Sequence, residues 1–226
     1  MENTKRAQLM SILRLIGVAS AIIGVFVVLI WIGEKQDGNV HQPSPVNNEV
    51  TAIDHAKGPD TASLTLIEYA DFQCPTCAAF APVVQQLSDT YANDLRVVYR
   101  YFPLQTIHPN ATLAAQAAEA AGRQGKFWEM HDLLFVHQKD WSATKDPRDQ
   151  FAGYAAELQL NIDQFKADVE SKDVKDRVAA DSRSGSAAGI SGTPTFYLNG
   201  EAIENPRGLE AFKAVIDAKL PDKSQE

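Results

Sequence analysis

The pattern of hydrophobic and polar positions divides the 226-residue chain into four parts. A short basic stretch, residues 1–14, precedes an uncharged apolar run at 15–33. A polar segment interrupted by glycine and proline follows at 34–61. From residue 62 onward, the chain carries the strand-like and helix-like periods that are typical of a folded domain.

The apolar run is almost long enough to cross a membrane. At about 1.5 Å per residue, a helix over residues 15–33 approaches the roughly 30 Å thickness of a hydrocarbon core. Lys5, Arg6 and Arg14 precede the run, and Trp31 lies near its far end. Because basic residues favour the cytoplasmic side and tryptophan favours the interface, the pattern predicts a single-pass signal-anchor in the cell membrane. The N-terminus would be cytoplasmic and the rest extracytoplasmic.

Two other interpretations of the apolar run were weighed against the anchor. A cleaved signal peptide has an apolar region of about 7 to 15 residues, which is shorter than this run. Its small residues Ala19, Ser20 and Ala21 lie in the middle of the run rather than at its end. The third interpretation, a buried helix of a soluble domain, does not explain the one-sided charge. An uncleaved anchor is therefore preferred.

The polar segment 34–61 has no sustained period, which is typical of a flexible linker. About 28 residues of flexible chain have a root-mean-square reach of about 30 Å. Such a linker would let a folded head sweep the outer membrane surface. His41 and His55 within it are predicted to be solvated and without a function.

The folded part begins with a predicted βαβ unit. Leu64–Ala70 is an apolar run typical of a buried strand, and Leu95–Phe102 alternates with the period of two of a second strand. Between them, apolar side chains recur at helical spacing. They are Phe80, Val83, Val84, Leu87 and Tyr91. The only two cysteines, Cys74 and Cys77, lie at the first turn of this unit.

Residues 108–188 show helical patterns alone, so this segment is predicted to be an all-helical insertion. Asn110 is predicted to cap its first helix; the alternative for Asn110-Ala111-Thr112 is a glycosylation sequon. The predicted helices cover residues 111–121, the apolar face from Phe127 to Leu134, 148–158, 162–171 and 174–187.

Strand character returns near the C-terminus. Thr195–Leu198 is predicted to be a strand, and Asn199-Gly200 is a strong type I′ turn signal that pairs it with Glu201–Ile203. An amphipathic helix with Leu209, Phe212, Val215 and Ile216 precedes a charged tail. The predicted fold is therefore an α/β domain with a helical insertion. The α/β domain would comprise residues 62–107 and 189–220, and the tail residues 221–226.

Composition narrows the possible functions. Hydrophobic residues make up 45% and charged residues 22% of the chain, which is the ordinary balance of a globular protein. The formal net charge of −8 argues against nucleic-acid binding, which needs clustered Lys and Arg. A secreted disulfide framework usually has about four to eight cysteines. Two cysteines separated by two residues indicate a redox pair instead.

The segment Cys74-Pro75-Thr76-Cys77 carries the candidate chemistry. A thiolate is the attacking species in disulfide exchange, so an exchange catalyst must lower the pKa of its nucleophile. At a helix N-terminus, unpaired N–H groups and the helix dipole would do this for Cys74, and Pro75 suits the first helical turn. Cys77, one turn further in, is predicted to be the buried resolving thiol. Thr76 could donate its hydroxyl to a sulfur.

Glu68, Asp71 and Phe72, which precede the two cysteines, are further candidates for the site. Glu68 lies on the strand that leads into the site, and an inward orientation would let it accept or relay the Cys77 proton. The alternative for Glu68 is a solvated acid at the strand edge. Asp71 lies where the strand turns over and is expected to be exposed. Phe72 is expected to provide apolar surface beside the site.

Thr193 and Pro194 directly precede the predicted strand Thr195–Leu198. A proline there removes a donor from the sheet ladder and requires a special backbone conformation. A cis Thr193–Pro194 bond would meet that requirement, since cis bonds are largely confined to X-Pro.

Four features in this order resemble the DsbA-like disulfide oxidoreductases of the thioredoxin superfamily. The resemblance covers about residues 62–220. The features are the strand ending in Glu68–Gln73 before the cysteines, the insertion segment Gln124–His131, the segment Gly192–Phe196, and the closing hairpin and helix. The resemblance implies a thioredoxin fold interrupted by a helical domain. It also implies an enzyme with no cofactor other than the Cys74–Cys77 disulfide.

The resemblance also assigns roles to individual residues. Cys74 would be the exposed nucleophile and Cys77 its buried partner. Glu68 would match the family's buried acid, and Pro194 would match the cis-proline that packs against the disulfide. The backbone of Thr193 would pair with a substrate segment as an added strand. The residues predicted to face the substrate are Thr193, Phe72, Pro75 and Thr76.

The direction of electron flow depends on Thr76, where the best-known strong oxidants of the family carry His. Similar anchored heads with Pro-Ser or Pro-Thr between the cysteines include many oxidants. We therefore predict that disulfides are introduced into reduced or unfolded extracytoplasmic proteins. A reductase or isomerase is the alternative. A membrane partner would reoxidise the pair, and the protein is expected to be a monomer.

Other classes of function were also considered. A carrier of copper or zinc would use Cys74 and Cys77 with His108 or His131. Copper-delivery proteins on this fold usually space their cysteines by three residues rather than two, so no metal is expected. A binding module with an inert disulfide would have no use for a low-pKa nucleophile.

Overall fold

The computed structural model describes residues 49–221 together with Gly24, Ser44 and Val46. The predicted anchor other than Gly24, the N-terminus before it, the linker residues 34–43 (with His41), 45, 47 and 48, and residues 222–226 lie outside the described residues. Within the described part of the chain, no helix is both long enough and apolar enough to span a membrane.

A mixed sheet lies at the centre of residues 49–221. Its strands are β1 (His55–Lys57), β2 (Leu64–Ala70), β3 (Leu95–Tyr101), β4 (Thr195–Leu198) and β5 (Glu201–Ile203). Their order across the sheet is β1-β3-β2-β4-β5. The parallel strands β2 and β3 are joined by helix α1 (Pro75–Thr90), which confirms the βαβ unit. β4 runs antiparallel to both β2 and β5.

The closing hairpin is also confirmed. Asn199 and Gly200 both have positive φ, at 49° and 83°, as a type I′ turn requires. Helix α8 (Leu209–Asp217) follows and buries Phe212 and Ile216. These side chains pack with those of β2, β4 and α1.

The helical insertion has the predicted extent, with one additional helix. Its helices are α2 (Ala111–Gly122), α3 (Phe127–Val136), α4 (Gln138–Trp141), α5 (Arg148–Glu157), α6 (Ile162–Glu170) and α7 (Lys172–Ala187). The sequence pattern did not predict α4, because a single turn is too short to show a helical period.

The linker prediction is wrong at its C-terminal end. β1 pairs antiparallel with β3, and His55 lies opposite Tyr99. His55 is not a solvated bystander: its Nε2 lies 2.7 Å from Glu119 Oε2, and its ring stacks on Phe127 with 3.6 Å between centroids. A strand of three residues is too short to be recognised from alternation, and its stability depends on contacts distant in sequence.

The two cysteines lie at the contact between the sheet, helix α1 and the helical insertion. Leu64 and Leu66 of β2 pack against α1 and α8, whereas Ile67 and Tyr69 point to the opposite face of the sheet. Further along the first face, Cys77 joins side chains of β3, α2 and α3 in one core cluster. The inner side of the first turn of α1, which carries Cys77, is therefore covered by both the sheet and the insertion, while Pro75 and Thr76 face outward.

Candidate active site

Cys74 occupies the N-cap position of α1, and Pro75 lies in the first helical turn. The Cys74 N–H donates to the Asp71 carbonyl at 3.0 Å, and the Cys74 carbonyl accepts from the Ala78 N–H at 3.1 Å. Both cysteines are free thiols. The sequence therefore placed the pair correctly at the start of the helix.

The two thiols have opposite electrostatic surroundings. A hydrogen bond from the Cys77 thiol, helped by the N–H groups of Cys77 and Thr76, outweighs burial and lowers the pKa of Cys74 to about 5. Burial, then the bond to Cys74 and the charge of Glu68, raise the pKa of Cys77 well above its ordinary value. At neutral pH, Cys74 is therefore a thiolate and Cys77 a thiol.

The expectation that Cys74 is exposed needs correction. Cys74 is only 7% exposed, although Cys77 is less accessible still, at 0%. The Cys74 Sγ lies 3.4 Å from the Thr193 carbonyl oxygen, so the segment before β4 covers part of the sulfur. Cys74 is the more accessible thiol of the pair, but most of its surface is covered.

Glu68 points inward, as one of the two interpretations predicted. It is 3% exposed, and its neighbours across the sheet are Tyr99 on β3 and Phe196 on β4. Burial raises the pKa of Glu68 to about 8, against the opposing effect of the Lys57 charge. The acid is close enough to Cys77 to influence that thiol. Its part in proton transfer stays a prediction.

Asp71 is buried, contrary to expectation. Its Oδ1 accepts a hydrogen bond from the Gln73 N–H at 2.7 Å, and its Oδ2 accepts one from the Leu104 N–H at 2.9 Å. The same Oδ2 lies 2.7 Å from Nδ1 of His108. The chain after β2 turns beneath the segment that follows β3, and this contact between distant segments buries the carboxylate.

Phe72 is also buried, so it offers no surface to a substrate. Its ring packs on Tyr99 and Phe135, each with 5.0 Å between centroids. Phe72 is not at the surface because the helical insertion covers this side of the sheet, and the local sequence does not show this. Pro75 and Thr76 are exposed beside Cys74, and their contact with a substrate stays a prediction.

The Thr193–Pro194 peptide bond is cis, as the resemblance implied. The Thr193 hydroxyl is buried without a hydrogen-bond partner, and as a donor beside Cys74 it contributes to the lowered pKa of that thiol. Asn205, which the sequence did not single out, donates from Nδ2 to the Pro194 carbonyl at 2.9 Å.

Amide side chains that no sequence pattern singles out also bind the loop before Cys74. Gln138 on α4 donates from Nε2 to the carbonyls of Phe72 and Cys74, at 2.8 and 2.9 Å. The Gln73 side chain accepts from the Asn110 N–H at 2.7 Å and donates to the Ser142 carbonyl at 2.9 Å. No sequence period or motif marks these residues, because their partners are distant in sequence.

Asn110 lies at the N-cap position of α2, as predicted, but its side chain makes no capping hydrogen bond. The Asn110 Nδ2 instead donates to the carbonyls of Ser142 and Thr144, at 3.3 and 2.8 Å. These bonds hold the turn after α4, and the Asn110 backbone N–H is already committed to Gln73.

The metal-carrier alternative finds no ligand set in the described part of the chain, where no three His, Cys, Asp or Glu side chains are arranged to hold an ion. His131 is buried among aromatic rings with its Nδ1 2.8 Å from Asp132 Oδ1. Burial lowers the pKa of this imidazole. His108 is engaged by Asp71.

Comparison with known proteins identifies the family of the chain. A family model described as Thioredoxin matches residues 51–218. The chain belongs to the thioredoxin family. This thioredoxin-family chain is similar to BdbD of Bacillus subtilis, with a TM-score of 0.70 and 21% identity over 79% of this chain and 98% of that chain.

Two further solved structures share the fold. α-DsbA1 of Wolbachia pipientis has a TM-score of 0.67 and 22% identity, over 75% of this chain and 92% of that one. A thioredoxin-like oxidoreductase of Silicibacter pomeroyi DSS-3 has a TM-score of 0.63 and 26% identity, over 74% and 92%. The resemblance to DsbA-like proteins of the thioredoxin superfamily is thus confirmed at the level of fold.

Relatives with higher sequence identity have a different name. The chain is 42% identical over 163 residues to Na(+)/H(+) antiporter NhaA 3 of Salinispora tropica, covering 72% of this chain and 24% of that protein. It is 39% identical to Na(+)/H(+) antiporter NhaA of Herminiimonas arsenicoxydans, covering 77% of this chain and 26% of that protein. The chain therefore spans about a quarter of the length of these relatives.

Proposed function

We propose that this protein is a thiol–disulfide oxidoreductase that introduces disulfides into extracytoplasmic proteins. The observation that carries the proposal is the opposite pKa shift of the two cysteines, with Cys74 lowered to about 5 and Cys77 raised. A stabilised thiolate favours the dithiol form over the disulfide. A disulfide whose reduced form is stabilised is an oxidant.

The reaction starts from the Cys74–Cys77 disulfide. A substrate thiolate attacks the Cys74 sulfur, the Cys74–Cys77 bond breaks, and Cys77 leaves with the electron pair. Glu68, whose pKa of about 8 keeps it protonated near neutral pH, supplies the proton that Cys77 takes up. A second substrate thiolate then attacks the substrate sulfur of the mixed disulfide, and Cys74 leaves as a thiolate. Its low pKa makes it a good leaving group.

Substrate binding follows from the surroundings of Cys74. An extended segment of a reduced protein pairs with the backbone of Thr193 as an added strand. Pro75 and Thr76, both exposed, flank the sulfur under attack. Each turnover leaves two electrons on the pair, so a membrane oxidant, such as a quinone-linked protein, must take them up.

The proposed location is the outer side of the cell membrane, with residues 15–33 as the anchor. Net oxidation of protein thiols is favoured outside the cytoplasm. The relatives named antiporters support a position near a membrane, since an antiporter acts across one. The matched segment is only about a quarter of each of those chains.

The test is the reduction potential of the full chain, equilibrated with glutathione buffers while the state of the Cys74–Cys77 pair is followed. For an oxidase, we expect a value between about −180 and −120 mV, well above the roughly −300 mV of structural disulfides. A thioredoxin-like value of about −270 mV would overturn the oxidase assignment and favour a reductase.

A further inference from the structure

Two buried amides of the helical insertion make similar bonds to different parts of the chain. Gln138 and Asn110 are each 7% exposed, and each donates its NH₂ group to two backbone carbonyls. The Asn110 amide binds carbonyls within the insertion, whereas the Gln138 amide binds those of Phe72 and Cys74 in the thioredoxin domain. Gln138 is therefore a direct link from the insertion to the backbone of the nucleophile.

Gln138 is held in place by its own helix. Trp141, on the same short helix α4, is fully buried, donates from Nε1 to the Leu134 carbonyl at 2.8 Å and packs edge-on against Phe151. A side chain presented by an anchored element can fix a partner more accurately than one on a mobile loop. The amide thus has a defined position relative to the Phe72 and Cys74 carbonyls.

The two carbonyls belong to the segment that sets the direction of the first turn of α1. The Cys74 carbonyl also accepts the Ala78 N–H, so it is the first acceptor of the helix. The N–H groups of Thr76 and Cys77, in this same first turn, lower the pKa of Cys74 by hydrogen bonding to its sulfur. Without Gln138, the buried Phe72 carbonyl would lose this hydrogen bond, and a buried polar group left without a partner destabilises its conformation.

We propose that Gln138 is a positioning residue of the redox site, whose amide fixes the Phe72 and Cys74 carbonyls so that the first-turn N–H groups meet the Cys74 sulfur. The proposal rests on the proposed function, because it concerns the reactivity of the same thiol. It gives the insertion a role in tuning the nucleophile in addition to covering the sheet.

The test substitutes hydrocarbon side chains of similar size, Gln138→Met and Asn110→Leu, in the full chain. The reduced proteins are alkylated with iodoacetamide from about pH 5 to about pH 9. For Gln138→Met, we expect an alkylation rate about threefold lower at about pH 5, since a hydrogen bond of about 1 kcal/mol changes the ionisation constant of Cys74 about fivefold and about half of Cys74 is ionised at that pH in the parent. At about pH 9, where the thiolate predominates in every variant, the rates should be equal. In glutathione buffers, the equilibrium constant between the dithiol and disulfide forms of Gln138→Met should change about fivefold in favour of the disulfide.

The Asn110→Leu variant is the matched control. It should lower the melting temperature by a similar amount while keeping the parental pH profile, because its side-chain amide binds only the Ser142 and Thr144 carbonyls, and the backbone N–H that bonds to Gln73 is kept in the variant. A parental pH profile for Gln138→Met would overturn the proposal, however large its loss of stability. If Gln138→Met does not fold, Gln138→Asn keeps the amide but is too short to reach both carbonyls, and its profile decides in the same way.

The parent chain separates this proposal from the proposed function. If Cys74 of the parent titrates like an ordinary thiol, the oxidase assignment fails before any variant is compared. If the parent has a reactive Cys74 and only the Gln138 variants show no change, the positioning role alone fails.

Discussion

The surroundings of Cys74 and Cys77 differ more than their separation by two residues suggests. Around Cys74, the stabilising groups are the N–H groups of the first helical turn and the neighbouring thiol. Around Cys77, burial and the charge of Glu68 act together against a thiolate. One end of the site therefore stabilises negative charge, and the other end excludes it.

This difference shows how the pair can be polarised with no charged residue between the cysteines. Pro75 and Thr76 are uncharged, and the asymmetry arises from the backbone on one side and the core on the other. Burial at the inner end is extensive: Tyr99, beside Glu68, has a hydroxyl that is buried without a hydrogen-bond partner. A site of this kind depends on the fold around the motif more than on the residues within it.

The largest expected effect comes from replacing each of the two cysteines in turn with serine. Cys74→Ser should lower thiol–disulfide exchange by more than about a hundredfold, since the attacked sulfur is lost. Cys77→Ser should instead accumulate mixed disulfides with reduced substrate proteins, visible as adducts on non-reducing gels. A Cys74→Ser protein with full activity would contradict both the assignment of the nucleophile and the proposed function.

The buried acid should have the next largest effect, on stability. The pKa of Glu68 is raised from 4.5 to about 8, so its contribution is fully present below about pH 4.5 and is lost as the pH rises through about 8. Parent stability should thus fall by on the order of 3 to 5 kcal/mol over this range relative to Glu68→Gln.

Urea denaturation of both proteins in the dithiol form would measure this difference. The lowered pKa of Cys74 acts in the opposite direction, adding stability as the pH rises from about 5 toward 9.0, but it is common to both proteins and cancels. Parallel stability curves for parent and Glu68→Gln would show that Glu68 titrates normally, and the inner end would not exclude charge as described.

Glu68→Gln should also slow the step in which Cys77 leaves, by about a hundredfold, because a positioned acid is removed. Stopped-flow reduction of the Cys74–Cys77 disulfide by a model thiol would measure it. The exposed Glu129, changed to Gln in the same way, is the matched control and should react at the parental rate. Equal rates for the two variants would remove Glu68 from the reaction.

Much of the fold follows from local signals in the sequence. The strand Leu64–Ala70 and the turn Asn199-Gly200 were predicted correctly, because a short apolar run and a turn preference depend on neighbouring residues. The position of Cys74 at a helix start followed from Pro75 and the apolar face beyond it. The β1 strand and helix α4 were missed, since three or four residues carry no measurable period.

The surroundings of the site were harder to predict. Asp71 and Phe72 were expected near the surface, but the insertion and the segment after β3 bury them. Gln138 has no recognisable sequence pattern, because its side chain binds two carbonyls that lie more than sixty positions earlier in the chain. Local sequence therefore placed the two cysteines at the start of helix α1, while contacts between distant segments determine their environment.

The smallest expected effect concerns Lys57, which the sequence placed in the linker and the structure places on β1. Its charge opposes the burial that raises the pKa of Glu68, while its Nζ lies 4.4 Å from the centroid of the Trp128 ring. Lys57→Met should move the Glu68 transition to higher pH, with about a twofold to fivefold change in its ionisation constant at the effective dielectric constant of about 20 usual in proteins.

The pH dependence of disulfide reduction would detect this change, and Lys126→Met, which alters a lysine paired with the exposed Glu129, is the control. A transition moved to lower pH would contradict the sign of the interaction. A transition moved to higher pH would mean that the charge of Lys57, on strand β1 at the end of the linker, influences the ionisation of Glu68 at the inner end of the site. The protonation of Cys77 would then depend on a residue that the sequence alone assigns to a different part of the molecule.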